Sequence, residues 1–255
     1  MWDDARQLNA VAMVLAVAAV VLLGWGLLSW LARQPAFAFR EVVVRGPLVR
    51  ANAAYLEAII RDELAGTFFT MNLDRGRAAI AKAPWVRRVA LRRQWPQRLE
   101  VDIEEHVPLA RWNDSMLVDA EGEVFAATYK DELPRFAGPE GAALEVTRRY
   151  REWGAALAPL NLTLNEMRLS ARGGWELHVT GATGPLGIEV GRDEPSARLA
   201  RFIRAYERTI GAVDRTGIRV EQVDLRYRNG FAAKVPTFRE RAPKKVAAAD
   251  RTVLA

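Results

Sequence analysis

Glu104-Glu105-His106, two carboxylates beside an imidazole, is the nearest thing in this chain to an acid–base cluster. Groups of this kind move protons only when they converge on one reacting atom. The residues around them alternate like a strand, which turns Glu104 and His106 to one face and Glu105 to the other, so the expectation is exposed charge at a strand end. Arg87, Arg88, Arg92, Arg93 and Arg98, with Trp85 and Trp95 among them, have the composition of a single-strand nucleic-acid platform, where cations track phosphates and rings stack on bases. The structural alternative is adopted: Val89 and Leu91 point into a core, the arginines decorate an outer face, and Trp85 and Trp95 cover the strand ends. There is no cysteine, and the two histidines, His106 and His178, lie far apart without ligand spacing. Disulfides and thiolate metal sites are excluded, and a histidine-rich metal centre nearly so. Phosphate-loop, dinucleotide and nucleophile-elbow patterns are missing, and Gly184-Pro185-Leu186-Gly187 reads as a loop. No enzyme reading survives, and neither cofactor nor metal is expected.

The elements that would position any site begin with an apolar run. Gln7 to Ala32 contains no Asp, Glu, Lys or Arg, and about 20 apolar residues suffice to cross a bilayer as a helix. A cleaved signal peptide has a positive start and a shorter apolar core. Here the start holds Asp3 and Asp4 against Arg6, while Trp25 and Trp30 at the far end suit a headgroup interface, so a retained anchor is expected. Arg6 alone precedes the run, whereas Arg33, Arg40, Arg45 and Arg50 follow it. Taken literally, the positive-inside rule leaves the following body in the cytoplasm, but long domains translocate largely regardless of charge. The net charge is +6. Half of it lies in 238–255, a basic Ala-rich stretch that reads as a solvated disordered tail.

Past the anchor, Phe39 to Arg45 is a β-branched run that ends at the turn signal Gly46-Pro47. Asn52 caps a helix with Leu56, Ile59, Ile60 and Leu64 at helical spacing and Gly66 at its end. A shorter helix from Asn72 or Asp74 to Lys82 buries Leu73, Ala78 and Ile80 or Ala81. Strands over about Val86 to Arg92 and Arg98 to Glu105 follow, joined at Trp95-Pro96. Strand, helix, helix, strand, strand predicts a compact α+β unit with both helices on one face of a small sheet.

From Val107 the texture turns to many strands. Ser115 to Asp119 and Glu123 to Ala127 flank the hairpin signal Ala120-Glu121-Gly122. A helix is expected over Ala142 to Ala158, and strands over Thr163 to Ser170, Glu176 to Thr180 and Gly187 to Val190. Leu199, Phe202, Ile203, Tyr206 and Ile210 predict one helix from Glu194 to Ile210. Arg219 to Arg226 and Phe231 to Val235 then flank Asn229-Gly230, a hairpin turn whose two residues tolerate positive φ. If that last strand is an edge, its unpaired backbone groups are open to completion by another chain. From the residues alone, a terminal strand protected by the tail or by twist is the better reading.

The run from Pro84 through Gln94-Trp95-Pro96-Gln97-Arg98-Leu99 to Trp112, followed by Val118-Asp119-Ala120-Glu121-Gly122, resembles the FtsQ/DivIB family of bacterial cell-division proteins. Gly191-Arg192 ahead of Arg198-Leu199-Ala200-Arg201-Phe202 is similar to the same family, as is Val223-Asp224-Leu225-Arg226-Tyr227-Arg228-Asn229-Gly230-Phe231-Ala232. The resemblance omits only the tail. It implies a cytoplasmic N-terminus (1–7), a membrane helix (8–32), a linker (33–37), a POTRA domain (38–106), a β-rich C-terminal domain with two helices (107–237) and the basic tail (238–255), an α+β chain overall. It also implies a body translocated to the periplasm, location at the division septum of the inner membrane, and a non-enzymatic scaffold of the divisome. The partners it implies are two small single-span coiled-coil proteins, FtsB and FtsL, and the scaffold connects early division proteins to septal peptidoglycan synthesis. Carried over by motif, Arg192 pairs with a partner carboxylate, Tyr227 packs in the contact beside Asn229 and Gly230, and Phe231, Ala232 and Ala233 offer backbone pairing. Val235 departs from the family, where Trp often precedes the proline; Phe231 or Phe238 could substitute for that aromatic anchor.

Two other classes compete. A POTRA protein of general envelope assembly, such as one feeding an outer-membrane barrel, carries a long series of roughly ten-residue alternating strands. This chain has too few, and it has an apolar anchor. A membrane-tethered enzyme of the cell wall needs a nucleophile–base constellation that the sequence lacks.

Overall fold

The computed structural model describes residues 5–63 and 66–235; Leu64, Phe238 and the expected tail over 238–255 lie outside them. The chain forms two compact units that divide between Val107 and Pro108, and its fold class is α+β.

The first unit opens with α1 (Ala5–Ala32). Its stretch Asn9–Ala32 has a mean hydropathy of 2.6 with no residue buried against the protein. A single 3₁₀ turn, Pro35–Phe37, leads to β1 (Glu41–Arg45). Gly46 ends that strand at φ +114°, and a Cβ there would lie 2.1 Å from the Ile103 carbonyl oxygen, so only glycine fits. In α2 (Ala53–Glu63), Leu56 and Ile60 are buried one turn apart, and Asn52 Oδ1 accepts from the Tyr55 amide. Asn72 caps α3 (Leu73–Ile80) through the Arg75 amide at 3.0 Å. The inward face of α3 carries Gly76 and Ile80, not Ala78, which is exposed. The spacing of four from Gly76 to Ile80 keeps that stripe on one line, and Ala78 falls on the opposite side.

β2 (Val86–Gln94) and β3 (Arg98–Glu105) form an antiparallel pair, and β1 joins β3 in parallel, giving the order β1-β3-β2. Leu91, Leu99, Val101 and Ile103 meet Leu56, Ile60, Met71 and Ile80 in one core. Trp95 does not cover a strand end as expected. It sits at the β2–β3 turn, beyond the last paired residues Gln94 and Arg98, with 79% of its surface exposed.

The second unit is a nine-stranded sheet. Its strands are β4 (Pro108–Trp112), β5 (Met116–Asp119), β6 (Val124–Phe125), β7 (Arg135–Ala137), β8 (Thr163–Leu169), β9 (Trp175–Gly181), β10 (Gly184–Gly191), β11 (Gln222–Asp224) and β12 (Ala232–Lys234). The spatial order is β12-β11-β10-β9-β8-β7-β4-β5-β6. Leu164, Met167, Leu177, Val179, Leu186, Ile188 and Val190 bury one face against α4 (Ala143–Leu157) and α5 (Pro195–Tyr206). Trp153 of α4 crosses Trp175 edge-on at 5.1 Å and donates its indole N–H to Ser196 Oγ, which satisfies the one polar atom that its burial threatens.

Two expectations fail here. The helix expected over Glu194 to Ile210 stops at Tyr206 and resumes as α6 (Ile210–Asp214). The Thr209 hydroxyl donates back to the Ala205 carbonyl at 2.8 Å, and Gly211 packs within 3.3 Å of Tyr206 at the position of an added Cβ; both favour a bend over continued helix. The last hairpin is not closed by a two-residue turn. β11 ends at Asp224 and β12 starts at Ala232, so residues 225–231 form a seven-residue loop, and neither Asn229 nor Gly230 adopts the positive φ of a two-residue hairpin turn. The Asp224 carboxylate accepts from the Arg226 amide at 2.9 Å, an Asx-type turn that stops the strand five residues before Asn229-Gly230.

Candidate functional site

The candidate chemical clusters disperse. Arg87 Nη1 lies 2.8 Å from Glu104 and Arg88 lies 4.0 Å from it, Arg98 pairs with Glu41 at 2.7 Å, and Arg93 donates to the Met71 carbonyl. These arginines are spent on the strand surface and do not form a free cationic track. Glu105 is not idle end charge: its carboxylate accepts from the backbone amides of Val49, Arg50 and Ala51 at 2.8–3.2 Å, holding the loop that enters α2. His106 is buried. His178, on the open face of the second sheet, lies 3.8 Å from both Glu166 and Glu176.

What remains is one end of one sheet. β10 and β11 run parallel, with Glu189 opposite Asp224, so Arg192 after β10 and residues 225–231 after β11 emerge on the same side. β12 returns antiparallel from there, with Ala232 opposite Asp224 and Ala233 opposite Val223. Topology thus gathers Arg192, Tyr227, Asn229, Gly230, Phe231, Ala232 and Ala233 at that end. Tyr227 is 58% exposed, and Asn229, Gly230, Ala232, Ala233 and Lys234 are exposed as well. Phe231 differs. It is half-buried and meets Phe202 edge-on at 5.6 Å, so it anchors the loop to α5. Val235 also packs against the core.

β12 is one edge of the sheet, and its outer side has no strand partner among the described residues. The opposite edge, β6, has only two residues, one of them buried. Charge around the β12 end is sorted. Arg226 is neutralised by Asp224 at 2.7 Å and Glu189 at 2.8 Å. Its side-chain hydrogen bond is the main reason that the Asp224 carboxyl sits below the usual carboxylate range. Arg198 turns inward and donates to the Val190 carbonyl. Gly191, at φ +79°, leaves it room: a Cβ there would lie 2.7 Å from Arg198 Nη1 and 3.0 Å from Arg226 Cγ. Arg192 is exposed, and its one ion pair among the described residues is with its neighbour Asp193, at 3.3 Å.

The sequence reading missed the groove beside this edge. Arg198, Arg201, Phe202 and Ala205 of α5 face Leu225 and residues 228–231 across a space of about 520 Å³, and Arg201 Nη1 donates to the Arg228 carbonyl at 2.8 Å. The helical spacing of Arg198, Arg201, Phe202 and Ala205 was the available signal, but nothing local says which loop they face. An extended, exposed edge beside an aromatic-floored, arginine-rimmed groove is suited to a peptide that adds a strand and carries acidic and apolar side chains.

Residues 37–106 match the model of the POTRA domain, FtsQ-type, and residues 110–226 that of the C-terminal region of cell division protein FtsQ/DivIB. The second match stops just before Tyr227. Similar curated proteins, each called Cell division protein FtsQ, come from Burkholderia pseudomallei (38% identical, covering 94% of this chain and 96% of that protein), Nitrosospira multiformis (33%, 92% and 99%) and Escherichia coli (34%, 90% and 85%).

Proposed function

Since the chain belongs to the FtsQ/DivIB family of cell-division proteins, we propose that it is a non-enzymatic divisome scaffold that takes up FtsB and FtsL by strand addition to β12. The membrane helix α1 holds it in the inner membrane, with the N-terminus cytoplasmic, the body periplasmic and the whole concentrated at the septum. The POTRA domain (38–106) faces upstream division proteins, and the β-rich domain (107–237) carries the partner site that connects them to septal peptidoglycan synthesis. The observation that carries this reading is the edge itself: Ala232, Ala233 and Lys234 are all exposed on a strand that, among the described residues, is paired on one side only.

Each residue then has a task. Ala232 and Ala233 present backbone without bulk, so that another strand can approach. Tyr227 gives an exposed ring to pack on. Arg192 has the exposed Asp193 beside it at 3.3 Å and can exchange that contact for a partner carboxylate, whereas Arg226 is already satisfied by two. Phe231, held on Phe202, fixes the angle at which the edge is offered.

The test is co-purification of FtsB and FtsL with the double variant Tyr227→Ala, Arg192→Glu. Capture should be abolished with the fold intact, since truncating one side of a buried charge pair costs about 2–5 kcal/mol. Normal capture would place the site elsewhere. A fluorescent domain fused ahead of Met1 tests the setting: a midcell band in constricting cells agrees with the proposal. An even envelope signal without a division defect would instead favour general envelope assembly by the POTRA domain.

A further inference from the structure

We infer that the β2–β3 turn rests on the bilayer that α1 crosses, with the Trp95 ring seated in the headgroup layer as a second membrane contact of the POTRA domain.

Four hydrogen bonds tie the first unit to the end of the helix and the residues just after it, the two at Gln97 holding the turn itself. Thr67 Oγ1 donates to the carbonyl of Ala32, the last residue of α1, at 2.6 Å. The Phe68 amide donates to Phe37 O at 2.8 Å, and the Arg40 amide to Gln97 O at 2.9 Å. The Gln97 side chain also donates to the Ala36 carbonyl. The turn holding Trp95 is therefore bound to residues 36–40, immediately beyond the membrane helix. The apolar stretch Asn9–Ala32 has 24 residues, roughly 36 Å of helix against a hydrocarbon core of about 30 Å. Centred on that core, the helix extends about 3 Å beyond it at each end, so its last residues already lie among headgroups, a layer about 5–7 Å deep on each side.

The composition of this end fits that layer. Trp95 is 79% exposed and Phe69 57% exposed, and Phe69 stacks edge-on with Phe37 and Phe68 at 5.2 and 5.4 Å. Indole prefers the membrane interface, where its ring is shielded and its N–H stays wet. Arg33 and Arg40 are exposed here and make no ion pair among the described residues, leaving their charge for anionic lipid. The opposite end of the unit differs in having no exposed indole: Trp85 there is half-buried beneath Arg50. β1 runs away from the helix, and the loop beyond it, with Val49 75% exposed, is held by a carboxylate, Glu105.

The natural absence of cysteine allows a single-label test. A fluorophore on Gln94→Cys reports the turn, and one on Val49→Cys reports the far end. The full chain is placed in nanodiscs of phosphatidylethanolamine and phosphatidylglycerol, with or without bromine on the upper acyl chains. Quenching at position 94 should exceed that at 49 by at least about threefold, the difference between an interfacial and an aqueous site. Adding Trp95→Ser to Gln94→Cys should lower it toward the Val49 level, while Trp95→Phe should retain most of it. Equal quenching at the two positions, or quenching unmoved by Trp95→Ser, would overturn the inference. Neither result depends on division partners.

Discussion

Proline placed in turn at Ala232 and at Ala233 separates the two sides of β12. Along an edge strand the backbone groups of alternate residues point to opposite sides, so a three-residue strand offers a partner about two to four donors and acceptors. At about 1 kcal/mol net for each hydrogen bond, the edge alone gives about 2–4 kcal/mol, well short of the ~8 kcal/mol of a micromolar complex. On the proposed function, the rest of the affinity is assigned to the groove and to Tyr227 and Arg192. At whichever position the N–H points outward, proline is tolerated by the sheet, removes one intermolecular bond and sets a ring against the incoming chain. We expect the full-length chain in nanodiscs to bind FtsB about 10–100-fold more weakly there, a loss of about 1.4–2.8 kcal/mol, with its melting temperature held. At the other position proline breaks a bond to β11, and the melting temperature falls as well. Undiminished binding by both variants, each shown to be folded, would refute strand addition.

Other expectations follow from the same geometry. Glu105→Ala removes the acceptor of three backbone amides, two of them open to water, so the first unit should lose about 1–2 kcal/mol in urea unfolding; Glu105→Asp, one carbon shorter, should recover little. Gly191→Ala combines a left-handed φ with displacement of Arg198 and should cost about 2–3 kcal/mol, along with partner capture. Gly46→Ala drives a Cβ into a backbone oxygen that cannot yield, and should prevent the first unit from folding, as its amide NMR dispersion would show. Asp224 has a depressed pKa through Arg226. The stability from that pair is complete above the ordinary aspartate value of about 3.9 and is lost as pH falls through the lower, folded value. Arg226→Gln should raise the Asp224 titration toward the ordinary value in carboxyl NMR and flatten the acid limb of the unfolding curve.

What was legible in the sequence was local. Asn52 and Asn72 cap the helices that they precede, and the apolar periods of Leu56–Ile60 and Leu199–Tyr206 describe real inward faces, because caps and helical stripes depend on residues within one or two turns. The seven-residue loop was not legible. Asn229-Gly230 is a sound turn signal, but the length of β11 is set by its parallel register on β10 and by the Asp224 carboxylate capturing the Arg226 amide, and neither shows in a window around the turn. The groove was hidden for a similar reason: Arg201 and Arg228 are 27 residues apart and meet only once α5 lies beside the last loop. Trp95 was misjudged because an aromatic residue at a strand end normally closes a core, and here it falls in the turn beyond the last strand pair, Gln94 and Arg98.

β12 is the last strand of the described fold, and its only neighbour, β11, comes just before it. A ribosome therefore delivers α1 before β12. A chain that stalls, or is cut anywhere before Ala232, can occupy a place in the membrane but leaves β11 at the edge of the sheet in place of β12. On the proposed function, recruitment then doubles as an inspection of synthesis, since only a protein translated and exported through its final strand can bring the next components to the septum.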